Sequence, residues 1–311
     1  MSRRLGGSLR HIYEQARSLA AVPDGMIDHF VTALESGKPA SPEAFAVHSD
    51  ILQAVADDDI DAVRRLLSEL AGRSFVRDKP VIRPLSAAAF SATSRDRYLR
   101  YAATDEDVPL ALTAPRDDEF MAFRVRLDEA FALLRRAAPE LADELDAVVG
   151  EIVVATVDET ANGQVFDGIS VFDLWGAMFI NPRRHATVLE TTEVLVHEAT
   201  HTLLFGYSLD EPLVLNPLTQ RYASPVREDA RPMDGVFHGT YVIAMLHYWL
   251  RRLIDGGVLS EPDRASALER IARYGEPFAD GIGVIRDDGI LTETGRRVIA
   301  GAEAYMSAAL R

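Results

Sequence analysis

Cysteine is absent from all 311 residues of the chain. Its absence excludes disulfide bonds, thiolate metal sites and catalytic cysteine nucleophiles. Any bound metal ion therefore has to be held by histidine, aspartate or glutamate side chains. Nitrogen and oxygen ligands of this kind favour zinc or iron over metals that prefer thiolates.

A long hydrophobic run is absent as well. The most apolar stretch, residues 241–250, is too short to span a bilayer and contains His247. Residues 1–8 carry positive charge, but no apolar segment follows them, so they match neither a signal peptide nor a twin-arginine leader. These two absences predict a cytoplasmic protein that does not interact with a membrane.

Positive charge is scarce relative to negative charge, since the formal net charge is −15, with 33 lysines and arginines against 48 aspartates and glutamates. A surface this acidic argues against nucleic acids and anionic membranes as partners. The remaining composition, 48% hydrophobic and 26% charged, is typical of a globular protein. The length allows one large domain or two domains of moderate size.

Helical spacing of apolar residues dominates the chain, and glycines and prolines mark the ends of the helices. The predicted helices lie at residues 9–19, 26–36, 62–72, 120–137, 139–149, 261–274 and 292–310. Another helix is predicted to begin at residue 41, and a long one is predicted to end at about residue 255. Residues 73–118 are less regular. Within them, residues 81–84 are expected to be extended, with prolines that limit strand pairing.

A short β-rich region precedes the most informative helix of the chain. We expect strands within residues 151–157, 167–172 and 177–182, with a turn at Asn162-Gly163. The predicted fold class is α+β, mostly helical, with a small β-sheet before a zincin-like metal-binding helix. The predicted organisation is a helical N-terminal region over residues 1–118 and a metal-binding catalytic region over 119–311, which could also form one continuous domain.

The segment that begins with His197 and ends with His201 carries the strongest chemical signal. Two histidines four residues apart lie on one face of a helix, so both imidazoles can reach one metal ion. We predict a helix over residues 186–205 that ends at Gly206. Glu198 lies between the histidines and could move a proton for a metal-bound water. The bare pattern also arises by chance on amphipathic helices, so a third ligand is needed to support a metal site.

Four downstream residues are candidates for the third ligand: Glu228, Asp229, His238 and His247. His238 and His247 are nine positions apart, which puts them on opposite faces of one helix, so they cannot both bind one ion. His247 has apolar neighbours and is expected in the core or at an interface. His238 is the preferred third ligand and Glu228 the second choice, which would give a site with two histidines and one carboxylate.

Two arginines, Arg227 and Arg231, flank Glu228 and Asp229. On pattern alone they form surface ion pairs with these carboxylates. A more specific interpretation is that one arginine grips the distal carboxylate of a dicarboxylate cosubstrate, since a guanidinium group can bind a carboxylate through two parallel hydrogen bonds. Ser224 could add a hydroxyl donor.

The run over residues 222–232, followed by Gly235 and His238-Gly239, together with the metal-binding motif at 196–201, resembles the HExxH-motif peptide-modification family. Members of this family accompany ribosomally made peptide natural products. Some are peptide β-hydroxylases that depend on Fe(II) and 2-oxoglutarate. The resemblance covers about residues 150–255.

The resemblance implies an oxidoreductase, a dioxygenase of natural product biosynthesis whose partner is a precursor peptide. It implies His197, His201 and His238 as iron ligands, and it implies that Arg227 or Arg231 contacts 2-oxoglutarate. In that case Glu198 needs no role as a general base. The resemblance does not say which arginine does this.

Two other classes of function stay open. One is a zinc-dependent metallopeptidase in which Glu198 acts as general base for a zinc-bound water. The metzincin class is excluded because Leu204 and Tyr207 stand where its motif needs glycine and histidine. The other is a peptide-binding module without catalysis, which the intact motif disfavours.

Overall fold

The computed structural model describes residues 1–19, 22–77, 79–103, 110–158 and 165–311. The turn predicted at Asn162-Gly163 lies outside these residues. In the part of the chain that is described, no helix is both long enough and apolar enough to cross a membrane.

Helices account for most of the described chain and are numbered here in chain order. They are α1 (Ser2–Leu19), α2 (Asp28–Glu35), α3 (Pro42–Ala56), α4 (Ile60–Gly72), α5 (Ala92–Ala102), α6 (Asp117–Ala137), α7 (Pro139–Val148), α8 (Val188–Tyr207), α9 (Met233–Asp255), α10 (Glu261–Arg273), α11 (Gly275–Asp288) and α12 (Glu293–Ala309). The strands are β1 (Val81–Pro84), β2 (Leu112–Thr113), β3 (Glu151–Val154), β4 (Thr156–Val157), β5 (Gly168–Ser170) and β6 (Ala177–Ile180). This content confirms the predicted α+β class with a small sheet.

The larger sheet has four strands in the order β1-β3-β6-β5. Strands β1, β3 and β6 run parallel, and β5 pairs antiparallel with β6. Residues 81–84 are extended, as expected, and β1 pairs with β3 along its whole length. Strand β1 is at the edge of the sheet and pairs on one side only, which is where a strand tolerates Pro84. Strands β2 and β4 form a separate antiparallel pair.

The chain divides into two compact units, and each is discontinuous in sequence. The first comprises Met1–Met121 and Asp146–Arg184, and the second comprises Ala122–Leu145 and His185–Arg311. Both sheets belong to the first unit, whereas α8, which carries His197 and His201, belongs to the second. The division of the chain at residues 118 and 119 stays a prediction, as does the zincin-like character of α8.

The core of the first unit combines helices and sheet. The central strands are fully buried, as their continuous apolar sequence requires of a parallel sheet. Helix α5 was not predicted, because its sequence has few apolar residues and no clear apolar stripe. Its buried face instead carries Tyr98 and Arg97, whose guanidinium group pairs with Glu43, Asp50 and Glu69. An ion-pair network therefore replaces part of the hydrophobic face that helix prediction looks for.

Helix α9 is the centre of the second unit, where it packs against α8, α10, α11 and α12. Its approach to α11 is close, since a Cβ atom at Gly281 would lie 2.1 Å from the Oγ1 atom of Thr240. The missing side chain of Gly281 leaves the space that the Thr240 side chain fills. The same glycine, together with Gly275 and Gly283, lowers the helix propensity of the segment, which explains why α11 was not predicted.

Candidate metal centre

Helix α8 holds the first two histidines of the candidate site, and its start is well defined. The side chain of Thr187 accepts a hydrogen bond from the backbone N–H of Glu190, and the Glu190 carboxylate accepts one from the backbone N–H of Thr187. This reciprocal capping box satisfies two backbone donors at the helix start. The predicted end at Gly206 is wrong by one residue, because Gly206 keeps a negative φ and the helix continues to Tyr207.

Three histidine rings meet where α8 lies against α9. The Nε2 atom of His201 is 3.2 Å from the Nε2 atom of His197, and its Nδ1 atom is 3.1 Å from the Nδ1 atom of His238. The rings of His201 and His238 stack with an interplanar angle of 17°. The structure thus brings together the three residues that the sequence suggested as ligands, although His201 and His238 are 37 residues apart in the chain.

The site is mostly buried, since His238 is buried and His197 and His201 are half-buried, and this burial affects the charge state of the rings. Burial lowers the pKa of His201 well below its ordinary value, and the neighbouring His197 and His238 lower it further. Burial also lowers the pKa of His238. Both rings are therefore neutral at physiological pH. The neutral imidazole is the form that binds a metal ion.

The donor set suits Zn²⁺ or Fe(II), although the rings do not yet converge on one point. Two nitrogen ligands about 2.1 Å from an ion are separated by about 3.0 Å at a right angle and about 3.4 Å at the tetrahedral angle. The Nε2 atoms of His197 and His201 fall inside this range at 3.2 Å. His238 faces the opposite nitrogen of His201, so it would have to reorient to join them. Consistent with this, among the described residues no group of three or more histidines and carboxylates is arranged to hold a metal ion.

Glu198, the proposed catalytic carboxylate, is only 3% exposed. It lies on α8 directly after His197, and two threonine hydroxyls, those of Thr200 and Thr202, donate hydrogen bonds to backbone carbonyls of the same helix. A buried carboxylate beside imidazoles can orient a water molecule or hold a proton. The position of Glu198 therefore suits both the oxygenase and the peptidase hypotheses.

A loop over residues 222–232 lies against the start of α9, near His238. A Cβ atom at Gly239 would lie 3.2 Å from Cγ2 of Val226, and one at Gly281 would lie 3.1 Å from Cγ of Pro225. Two glycines on the underlying helices thus allow the loop to pack closely. This loop contains the predicted cosubstrate-binding residues, so its packing brings them to the helix that carries His238.

The two arginines of this loop share one carboxylate. The Nε atom of Arg227 is 3.1 Å from Oδ1 of Asp229, and the Nε atom of Arg231 is 2.8 Å from Oδ2. The hydroxyl of Ser224 accepts a hydrogen bond from the backbone N–H of Val226 at 3.4 Å. The ion pairs expected with Asp229 are thus present, whereas those expected with Glu228 do not occur among the contacts of the described residues.

The alternative ligands lie in different surroundings. Glu228 is exposed, whereas His238 is buried against His201. His247 is buried on a different face of α9, where its Nδ1 atom is 2.9 Å from the hydroxyl of Tyr305. His238 is therefore the downstream residue that the structure places next to the α8 histidines.

Sequence reasoning missed two residues that contact His238. The ring of Phe205 lies 5.4 Å from the His238 ring, and Oδ1 of Asp234 is 3.9 Å from its Nε2 atom. The four-residue spacing of Asp234 and His238 on one helix could have indicated this pair. Phe205 gave no such signal, because only tertiary packing brings α8 to α9.

A third missed group lies one turn before His197 on α8. The carboxylate of Glu193 forms an ion pair with Arg270 and accepts a hydrogen bond of 2.6 Å from the hydroxyl of Tyr274. Burial and the Glu193 carboxylate raise the pKa of Tyr274, so its hydroxyl stays a donor. These contacts hold α8 one turn before the first candidate ligand, His197.

Comparison with known proteins does not assign the site. No protein-family model matches the chain, and no curated protein sequence matches it either. The functional conclusion therefore depends on the residues and geometry described above.

Proposed function

We propose that this protein is an Fe(II)- and 2-oxoglutarate-dependent oxygenase that hydroxylates a side-chain β-carbon of a ribosomally synthesised peptide. The observation that carries the proposal is the meeting of His197, His201 and His238 in a buried site next to an arginine-bearing loop. The class of peptide substrate comes from the resemblance of the motif and loop to the HExxH-motif peptide-modification family.

Three imidazoles would hold the metal ion once His238 reorients, and burial lowers the pKa of His201 and His238 so that these two rings are neutral, the form that binds a metal ion. An Fe(II) ion held by these residues would supply the chemistry by which O2 oxidises 2-oxoglutarate to succinate and CO2 and one oxygen atom is inserted into a carbon–hydrogen bond of the peptide. The buried side chains of Glu198 and His238 limit the access of water to the site. Phe205 shields His238 on one side.

The remaining residues position the two substrates. An arginine of the loop over residues 222–232 binds the distal carboxylate of 2-oxoglutarate, which fixes the direction of the cosubstrate. Ser224 adds a hydroxyl at the same loop. Glu198 orients a ligand or a water molecule from its buried position and does not act as general base. The substrate partner is a precursor peptide, and the expected compartment is the cytoplasm.

One observation favours a second candidate, a zinc-dependent metallopeptidase. Glu198 is buried directly beside the His197 ligand, which is where a general base for a zinc-bound water is placed in enzymes with this motif. In that reaction Glu198 takes a proton from water and passes it to the leaving amine. The cosubstrate-binding arginines would then have no role in the chemistry.

A reconstitution experiment separates the two functions. The full-length protein is loaded with Fe(II) without oxygen and then given 2-oxoglutarate, O2 and a candidate precursor peptide. We expect succinate and a peptide that is heavier by one oxygen atom. Cleavage of the peptide by the zinc-loaded protein, with no succinate from the iron-loaded one, would establish the peptidase instead. The Glu198→Gln variant gives a second criterion, because it should abolish peptidase activity but leave succinate formation detectable.

A further inference from the structure

The loop over residues 222–232 contains a carboxylate between its two arginines. Asp229 approaches Arg227 with one oxygen and Arg231 with the other, at 3.1 Å and 2.8 Å. The hydrogen bond from Arg227 lowers the pKa of Asp229, and the charges of both arginines lower it further. Asp229 is therefore ionised, and each of its oxygens lies against the Nε atom of one guanidinium group.

The two arginines are not equally ordered. Residues Tyr222 and Arg231 exchange two backbone hydrogen bonds of 2.8 and 2.9 Å, so Arg231 is part of a short antiparallel bridge. Its Cβ atom also lies close to Gly235 in the first turn of α9, since a Cβ atom added at Gly235 would be 3.5 Å from it. The Arg231 side chain is 22% exposed, whereas the Arg227 side chain is 50% exposed. Arg231 is therefore the more enclosed of the two guanidinium groups, and its backbone is held on both sides.

The contact between Arg231 and Asp229 is close but poorly aligned. The Nε atom of Arg231 is enclosed by protein, and among the described residues no acceptor forms an aligned hydrogen bond with it. Asp229 itself is 58% exposed. An exposed carboxylate that fits a buried donor poorly is weakly held, because surface ion pairs contribute little and lose side-chain entropy.

We propose that Asp229 is an internal occupant of a carboxylate-binding site in which Arg231 is the principal residue, and that a ligand carboxylate has to displace Asp229 to bind. This inference rests on the proposed function for the identity of the ligand, a dicarboxylate such as 2-oxoglutarate. The exchange is balanced in charge, since one carboxylate leaves the guanidinium groups as another arrives. Asp229 thereby holds the two arginines in place before the ligand binds. A carboxylate ligand with low affinity for the arginines does not displace it.

The test measures binding and does not depend on turnover. Calorimetric titration of 2-oxoglutarate and of glutarate into the full-length protein, metal-free and loaded with Fe(II) without oxygen, gives the dissociation constants. The Asp229→Asn variant should bind both probes about three- to tenfold more tightly, because it removes the carboxylate that competes with the ligand for Arg227 and Arg231. Arg231→Ala should weaken binding by about tenfold or more, and Arg227→Ala should weaken it less.

Asp287→Asn is the matched control, since it removes one exposed negative charge from α11 in the same compact unit. Unchanged or weaker binding by Asp229→Asn, or the same gain in Asp287→Asn, overturns the proposal. Failure of both wild type and Asp229→Asn to bind either probe also overturns it. A larger loss in Arg227→Ala than in Arg231→Ala overturns the assignment of Arg231.

The same titrations separate this inference from the proposed function. If Asp229→Asn tightens binding of glutarate and 2-oxoglutarate but no succinate ever forms, the carboxylate site is established and the oxygenase function is wrong. If the wild type forms succinate and Asp229→Asn leaves both dissociation constants unchanged, the oxygenase function stands and the role of Asp229 is wrong.

Discussion

His201 is the residue on which the candidate site depends most directly. Its ring lies between those of His197 and His238, and each of its nitrogens faces one of them. A ring has two nitrogens on different edges, so His201 can share a metal ion with His197 as it stands but not with His238. The third ligand is therefore the residue whose contribution is most informative to measure.

Replacing His238 tests this assignment at the residue scale. We expect His238→Ala to weaken Fe(II) and Zn²⁺ binding by more than about 100-fold, because loss of a supporting outer-shell contact alone costs about 10- to 100-fold. Equilibrium dialysis with metal analysis gives the affinity, and circular dichroism checks that the helices persist. His29→Ala, at an exposed position of α2, is the control. Unchanged affinity in His238→Ala would mean that another residue, such as Glu228, is the third ligand.

At the scale of secondary structure elements, the site depends on how α9 is held. Two glycines allow close packing at the first turns of α9. Gly239, on α9, leaves room for the loop over residues 222–232, and Gly281, on α11, leaves room for Thr240 of α9. The start of α8 is fixed separately by its capping box. The positions of the three histidines therefore depend on a cap and on close helix contacts more than on the helix propensities of their segments.

A pair of glycines on α11 tests the close contact. Gly281→Ala should lower the free energy of unfolding by about 1–3 kcal/mol, since its Cβ atom would overlap Thr240, whose hydroxyl is bonded to Val236. Gly283→Ala is the matched control, because nothing lies within 4 Å of its Cβ position. The control should be neutral or up to about 1 kcal/mol more stable, as alanine favours helix. Thermal and urea unfolding measure both, and equal stability of the two variants would contradict the packing.

The capping box of α8 predicts a dependence on pH. Burial opposes ionisation of Glu190, but the backbone N–H groups of Thr187 and Ala186 and the charge of Arg270 outweigh it, so the pKa of Glu190 is lowered. A carboxyl whose pKa is lower in the folded state stabilises the fold above its unfolded pKa and loses that effect as the pH falls through its folded pKa. The stabilisation is thus present at neutral pH and lost below about pH 4.5.

Glu190→Gln removes this titration. Since glutamine can still accept the hydrogen bond of the capping box, we expect the variant to be less stable than the wild type at pH 7 by about 0.3–1 kcal/mol, the usual contribution of a negative charge at a helix N-terminus. The difference should shrink as the pH is lowered from 5 to 3. Thermal unfolding across this range measures it. A difference that stays constant with pH would show that the charge of Glu190 does not contribute.

At the scale of the whole molecule, the fold is built from two discontinuous units. Residues 146–184, which supply β3 to β6, belong to the same unit as the N-terminal helices. Strand β3 pairs with β1 on one side and β6 on the other, and Ile152, Val153 and Val154 are fully buried. A cut at residue 118 therefore divides this unit.

Expression of residues 119–311 alone tests this arrangement. The fragment keeps β3 but loses β1 and helices α1 to α5, so an apolar strand edge is left open. We expect it to aggregate, as seen by size-exclusion chromatography. The full-length chain is the control. A monomeric, cooperatively folding fragment would support the division between an N-terminal region and a catalytic region that the sequence suggested.

Several features of this protein follow from local sequence alone. Helical periodicity and caps locate most helices to within a few residues, because hydrogen bonds and apolar stripes of a helix are local. The pairing of His197 with His201 follows from the helical repeat, and the absence of cysteine restricts the metal ligands. His238 was identified as a ligand candidate because few other histidines lie downstream.

Tertiary structure decided the rest. Helix α5 is stable because Arg97 finds three carboxylates from α3 and α4, and α11 forms because Gly281 fits against Thr240; neither contact is visible in a local pattern. Only the folding of the chain brings the Nδ1 atom of His238 to 3.1 Å from the Nδ1 atom of His201. The other ring nitrogen of His201, Nε2, faces His197. The sequence determined which side chains are available for metal chemistry, whereas packing between distant segments determined where they lie, because burial and close approach are properties of the assembled chain.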